Sequence, residues 1–448
     1  MLLPWAARQS ITFSLSEDWR RMLAKNYPNT YAYAPWWINP FWYSSIMLLG
    51  MYVVTVYFSD EIIRLSSGQK VNSLNGEGIL LGLLSVLSIA VGSSFVVFRQ
   101  KSKCIATPYS ANNINQVLLC LGVFIAICYA AFVLPLLAHP GVVIRVFIGG
   151  SWNSVNDVRG SMGSTPGISS FLNADAVFYS LYGYAVSVFP KKKINPYVHI
   201  LFYACLLIDA FIAIASARRN ALVRSVTCYV IPIVIFKWKR TTLRNIFPVI
   251  GMFFMYVFFA FGEYFRSWRY YRNFGQNFFE FTALRFLGYI ATSLNNGAGL
   301  YEMHGPYYKP LGTVQGLYDI LAQFGYKNTQ WKDQFLLFQG QFGSLEFNNP
   351  CGLYVPYVDF GPLFGSVVLV LIGVYVAYLY KKILRHAPLG ILLFPVSYFG
   401  ILFVFNIFMW GDTIYIRPLI VAVIVSCFLK ENREESQPKS MHNQQSEC

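Results

Sequence analysis

Charge is what this sequence has least of. Asp, Glu, Lys and Arg make up 12% of its 448 residues and 56% of them are hydrophobic, whereas a soluble globular chain carries about a quarter charged residues. That shortage excludes a chain kept in water by a charged surface. Acids are scarcer than bases, 20 against 35, for a formal net charge of +15; where the cations stand decides what the excess means. The cysteines form no CxxC pair and none has a close histidine partner, which points to neither zinc nor a disulfide framework. None of His139, His199, His304, His386 and His442 recurs at ligand spacing, which argues against a transition metal. No cleavable signal peptide is visible, because Arg8, Arg20, Arg21 and Lys25 are mixed with polar and aromatic residues ahead of the first long apolar run. No convincing internal repeat is present either, and repeats would be expected of a transporter.

Long apolar runs are what the chain does have. About twenty apolar residues cross a hydrocarbon core, and windows of that size find spans near 41–58, 78–98, 116–138, 168–189, 197–215, 220–236, 245–262, 361–380, 388–409 and 415–429. The expected fold is an all-α integral membrane protein of about ten transmembrane helices. Clusters of cations fall at alternate connections: Arg99 with Lys101 and Lys103, Lys191 to Lys193, Lys237 with Lys239 and Arg240, and Lys381 with Lys382 and Arg385. Cytoplasmic connections carry such an excess. The clusters therefore put both termini inside, with 1–40 a cytoplasmic segment, 41–430 one polytopic membrane domain and 431–448 a disordered cytoplasmic tail. Insertion accounts for most of the positive charge without nucleic acid. On the other side this leaves a large loop, 263–360, whose aromatics suit short helices at the membrane interface.

Several arginines break the rule that explains the others. Arg218 and Arg219 occupy a very short outside turn, with Arg224 about one turn further on. Arginines there snorkel to the surface, pair with an acid or serve an anion site. Arg266, Arg269 and Arg272 follow Glu263 at a spacing of three, which gathers them if the segment is helical. The alternative for them is an interfacial helix whose arginines contact lipid phosphates. Arg145 and Arg159 bracket the glycine-rich stretch Gly149-Gly-Ser-Trp-Asn, suited to a loop near a polar ligand. Guanidinium forks match phosphate oxygens and stay charged at any pH, so the set points to an outside cavity for an anion such as a lipid-linked diphosphate.

A sugar transfer to a hydroxyl also needs a proton acceptor, and the candidates on that side are Glu263, His304, Asp359 and Asp412. Asp359 and Asp412 are equally placed to cap a helix, and Asp412 to pair with Arg417. Asp175 and Asp209 lie inside apolar runs, where Arg218 or Arg219 is expected to neutralise them. Gly361, Gly365 and Gly373 share a helix face and are expected to pack two spans closely. Asp359-Phe-Gly matches the kinase metal motif in letters alone, since no Gly-rich loop accompanies it.

Three stretches carry a resemblance: the turn Ala215-Ser-Ala-Arg-Arg-Asn-Ala, the arginine-rich opening of the long loop, and Asn348-Asn-Pro-Cys-Gly-Leu-Tyr-Val-Pro-Tyr-Val-Asp-Phe-Gly-Pro-Leu-Phe-Gly. In these and in span layout the chain resembles the bacterial Wzy-type O-antigen and enterobacterial-common-antigen polymerases. Relatives often carry glycine where this chain has Ala217. The resemblance implies a GT-C-like multi-span glycosyltransferase of the inner membrane, free of metal and cofactor, with its active site facing the periplasm. It would join undecaprenyl-diphosphate-linked oligosaccharides, donor and acceptor both lipid-linked, with a chain-length regulator as a further protein partner. Arg145, Arg159, Arg218, Arg219, Arg266, Arg269, Arg272 and Tyr357 would bind diphosphate or glycan, and Arg218 and Arg266 match the family's arginines best. The resemblance leaves the base open. An O-antigen ligase and a flippase of lipid-linked sugar remain the alternatives.

Overall fold

The computed structural model describes residues 34–66, 71–99, 109–137, 140, 141, 144, 158, 168–216, 219–238, 241–268, 277–344 and 346–429. Among them every regular element is a helix. A chain this apolar has little choice, because a helix satisfies its backbone donors and acceptors internally where no water is present.

Seven helices are long and apolar enough to cross a membrane: α1 (Pro40–Tyr57), α3 (Gly76–Arg99), α4 (Ala111–Leu137), α6 (Pro196–Ala215), α7 (Arg219–Phe236), α8 (Thr242–Glu263) and α12 (Val355–Leu384). The short α2 (Ser59–Ser66) follows α1. Three other expected spans are shorter helices: α5 (Asp175–Val188), α13 (Pro388–Leu402) and α14 (Thr413–Phe428), of 14, 15 and 16 residues. At 1.5 Å per residue they run about 21–24 Å, less than the roughly 30 Å of a hydrocarbon core. α5 and α13 are buried along nearly their whole length, so they form the centre around which the longer helices stand. At the other extreme is α8, whose middle exposes Val249, Met252, Phe253 and Phe254.

The helix ends group as alternate crossing requires. At one end Asn115 bonds the carbonyl of Lys193, Asn113 that of Phe428, Tyr109 that of His386 and Trp37 that of Arg244. These are connections the cation clusters assign to the cytoplasm. At the opposite end lies the long loop, which is built of α9 (Phe278–His304), α10 (Gln315–Leu321) and α11 (Gln330–Gln341). Short interfacial helices describe α10 and α11. They do not describe α9, which has 27 residues and is buried continuously from 291 to 300. Two adjacent amides hold α9 down. Asn295 accepts from the Ser73 amide at 2.6 Å and donates to Val71 O at 2.9 Å, while Asn296 donates to Phe347 O at 2.7 Å and Asn349 O at 3.1 Å.

α12 begins at 355 and bends at Gly361, whose φ of 75° and ψ of 177° suit a residue without Cβ. Gly373 packs two spans as expected: a Cβ there would stand 2.3 Å from Ile89 O of α3, and one on Gly92 would stand 2.0 Å from Val370 O. Gly361 and Gly365 do not join that face. Gly361 makes the bend, and a Cβ on Gly365 would strike the Tyr357 ring at 2.3 Å, so both serve the kink.

Candidate functional site at the loop end of the bundle

Arg219 opens α7 and Glu263 closes α8, so the two outer helix ends meet. Arg219 Nη2 is ion-paired with Glu263 Oε1, and its Nη1 donates to Phe259 O at 3.1 Å. From α9, Arg285 Nε reaches Glu263 Oε2 at 3.1 Å, and Arg285 Nη1 reaches Glu346 Oε2 at 2.8 Å. The guanidinium of Arg219 stacks on the Phe259 ring at 4.4 Å, and that of Arg285 lies between Phe281 and Phe347 at 5.4 and 5.2 Å. Apolar rings that shield a guanidinium from water strengthen its pull on a carboxylate. Glu263 is fully buried, whereas the Glu346 side chain is 46% exposed. One sequestered acid therefore gathers two arginines from different segments, and the second acid is at the surface.

This geometry decides what Glu263 does. Both oxygens of Glu263, expected as a proton acceptor, face guanidiniums, an arrangement that suits positioning of the two arginines. Asp359 is spoken for in a different way. Its carboxylate accepts from the amides of Leu311, Gly312 and Thr313 at 3.1, 3.0 and 2.7 Å and from the Thr313 hydroxyl at 2.6 Å. Four donors on one buried carboxylate, three on Oδ2 and one on Oδ1, fasten the 311–313 turn to the top of α12. Asp412 caps α14, accepting from the Ile414 amide at 2.8 Å and from Thr413 Oγ1 at 3.1 Å. Burial pushes its carboxyl up from the usual range, and the Ile414 amide pulls it back.

His304, at the end of α9, is the candidate left with an open atom. Its Nε2 is buried and has no hydrogen-bond partner among the described residues. Burial lowers the imidazole from its ordinary value, which keeps it neutral near pH 7 and able to accept a proton. Tyr357, expected to touch ligand, is fully buried with its hydroxyl 3.2 Å from Ser366 Oγ, beside the α12 kink.

Deeper in the bundle a second cluster forms, with Asp175 from α5, Asp209 from α6 and Arg224 from α7. Arg224 Nη2 pairs with Asp175 Oδ1 at 2.8 Å, and Nη1 donates to Asn173 Oδ1 at 2.7 Å. The acids were expected to meet Arg218 or Arg219. Arg219 is taken by Glu263, and Arg224, one and a half turns inward, faces Asp175 in its place.

Arg145, Arg159, Arg218, Arg269 and Arg272 lie outside the described residues, and of Arg266 the backbone alone is described, in the turn Tyr264–Trp268. Sequence reasoning missed Arg285 and the Asn295–Asn296 pair. Arg285 carries the signal that singled out Arg266, a cation on the side where insertion needs none. Among the described residues no group of three His, Cys, Asp or Glu side chains could hold a metal ion. No family model matches the chain, and comparison with curated proteins and with solved structures found none similar to it.

Proposed function

We propose that the chain is a metal-independent glycosyltransferase that polymerises undecaprenyl-diphosphate-linked oligosaccharide repeat units at the periplasmic face of the bacterial inner membrane. On this reading α5, α13 and α14 complete ten spans of a GT-C-like enzyme. The observation that carries it is the meeting of Arg219 and Arg285 on Glu263 where the outer ends of α7 and α8 join. In the sequence Arg218 stands beside Arg219, and Arg266, Arg269 and Arg272 follow Glu263 within nine residues, and one buried acid fixes the place of Arg219. Guanidinium at the rim of a membrane bundle suits the diphosphate of a lipid carrier. The packed loop suits a glycan-holding cover, since α9 is pinned by amides on both sides.

In the transfer, a hydroxyl of the incoming unit attacks the anomeric carbon of the growing chain. The bond from that carbon to the carrier's diphosphate breaks, and the electron pair leaves on the diphosphate, where the arginines stabilise it. The hydroxyl proton passes to His304 Nε2, the one candidate base with an open nitrogen.

Deleting the gene and resolving surface glycan on a gel tests the reading. A polymerase loss leaves single repeat units on the lipid core; a ligase loss leaves the core bare, and a flippase loss stops the unit from crossing, and either of these results sinks the proposal. Arg218→Ala and Arg266→Ala should each abolish long-chain glycan while the protein stays in the membrane.

A further inference from the structure

The long loop carries a second polar junction, where α10 and α11 meet the start of α14. The backbones touch there. A Cβ on Gly316 would stand 2.4 Å from the Thr413 nitrogen, and one on Gly411 would stand 2.0 Å from Thr313 O. Gln315 and Trp410 are the neighbours of these two glycines, and they are only 9% and 8% exposed. Gln315 Nε2 donates to Asp319 Oδ1 at 2.9 Å. A carboxylate accepts and does not donate, so this bond fixes which end of the amide is which. The other end, Gln315 Oε1, is a buried acceptor without a hydrogen-bond partner among the described residues, and Trp410 Nε1 is a buried donor without one. A fold rarely leaves such atoms unanswered. Two acids and two cations stand around them. Lys332 Nζ donates to Asp319 Oδ1 at 2.6 Å. Asp412 is within electrostatic reach of Asp319 and Lys332, and Arg417 is within reach of both acids. The bonds to Asp319 and to Asp412 all fall on Oδ1, which leaves the Oδ2 of each to accept. Arg417, expected to pair with Asp412, makes no ion pair among the described residues.

We propose that this junction is a subsite for a neutral sugar residue, which on the transfer proposed above belongs to the glycan being joined. A hydroxyl donates and accepts at once, so a sugar can give a hydrogen to Gln315 Oε1 and take one from Trp410 Nε1. An ionised phosphate only accepts and an ammonium only donates, so neither answers both atoms. Charge selects in the same sense. Asp319 and Asp412 offset Lys332 and Arg417, which leaves no net attraction for an ion of either sign, whereas two guanidiniums meet on Glu263. The Oδ2 atoms of the two acids are acceptors for further hydroxyls of the same sugar. Its way in is past the Lys332–Asp319 pair, whose side chains are 51% and 35% exposed; an ion pair at the surface is weak enough to part. The segment between His304 and Gln315 is tied to α12 at Val358 and Asp359, so the subsite and the proposed base stand at the two ends of one fastened strap.

Calorimetric titration of the full-length protein, purified in a detergent without a sugar headgroup, tests the subsite. The probes are carrier-free oligosaccharide released from the host's surface glycan and, separately, inorganic diphosphate. The oligosaccharide should bind the parent with little dependence on salt. Trp410→Phe keeps a ring and removes the N–H, and Gln315→Leu removes the amide; each should weaken oligosaccharide binding about tenfold, the size of one hydrogen bond. Asp319→Asn, at a partly exposed position that tolerates change, should weaken it as well and serves where either buried variant fails to fold. A parent that does not bind the oligosaccharide overturns the proposal. So does equal binding by the parent and the folded variants, the result expected if water alone answers Gln315 and Trp410. The glycan gel of the deletion strain keeps the two proposals apart. Oligosaccharide binding lost in these variants supports the subsite even where the gel rules out a polymerase, and single repeat units on the gel with no oligosaccharide binding, whether or not diphosphate binds, overturn the subsite alone.

Discussion

The two arginine–carboxylate clusters on α7 lie about 7.5 Å apart along the helix axis, and they solve opposite problems. Around Arg224 there are two acids for one cation, sealed on every side, and hydroxyls complete the ligation. Around Glu263, among the described residues, two cations meet one buried acid, and the acid that restores the balance, Glu346, is half in solvent. Binding an anion takes spare positive charge and a way in. Among the described residues the outer cluster reaches solvent at Glu346 and the inner one is closed, so proximity of arginine to a membrane surface is not by itself a site.

Changing the central acid of the outer cluster should have the largest effect. Glu263→Gln leaves Arg219 and Arg285 buried without their common counter-ion, at a cost of about 3–5 kcal/mol, read as a large loss of thermal stability in detergent. A variant that melts with the parent would show that the outer cluster is not held by charge. Arg224→Met tests the inner cluster in the reverse sense, by stranding Asp175. The expected loss is nearer about 3 kcal/mol, because the Tyr129 hydroxyl still donates to that carboxylate. Asn296→Ala removes two bonds to loop carbonyls and should cost about 1–3 kcal/mol, with earlier proteolysis inside 344–354 as its sign. Glu346→Gln should change stability by less than about 1 kcal/mol, since an exposed partner contributes little. It should also strengthen anion binding at low salt, whereas weaker binding would place Glu346 inside the site.

Much of the bundle was legible in the sequence because hydrocarbon thickness and cation placement are one-dimensional signals. The apolar runs mark α1, α3, α4, α6, α7, α8 and α12, and the cation clusters sort their ends. What was illegible depends on neighbours distant in sequence. Nothing local says that α5 and α13 are short because other helices surround them, or that Gly361 bends α12 while Gly373 packs it. The acids show the same limit. Glu263, Asp359 and Asp412 are equal as letters, and they separate once one is seen between two guanidiniums, one under four donors and one at a helix start. Asp175 was recognised as needing a cation, yet the choice of Arg224 over Arg219 was made by Glu263, thirty-nine residues beyond Arg224 in the chain.

The most direct test of an anion site at the outer cluster is titration of the purified protein with a short isoprenoid diphosphate, using the matching uncharged isoprenoid alcohol as control. The diphosphate should bind, more weakly as salt is raised, and the alcohol should not; Arg218→Ala with Arg219→Ala should abolish binding and Asp209→Asn should leave it intact. Equal binding of diphosphate by the parent and the double arginine variant would contradict the account.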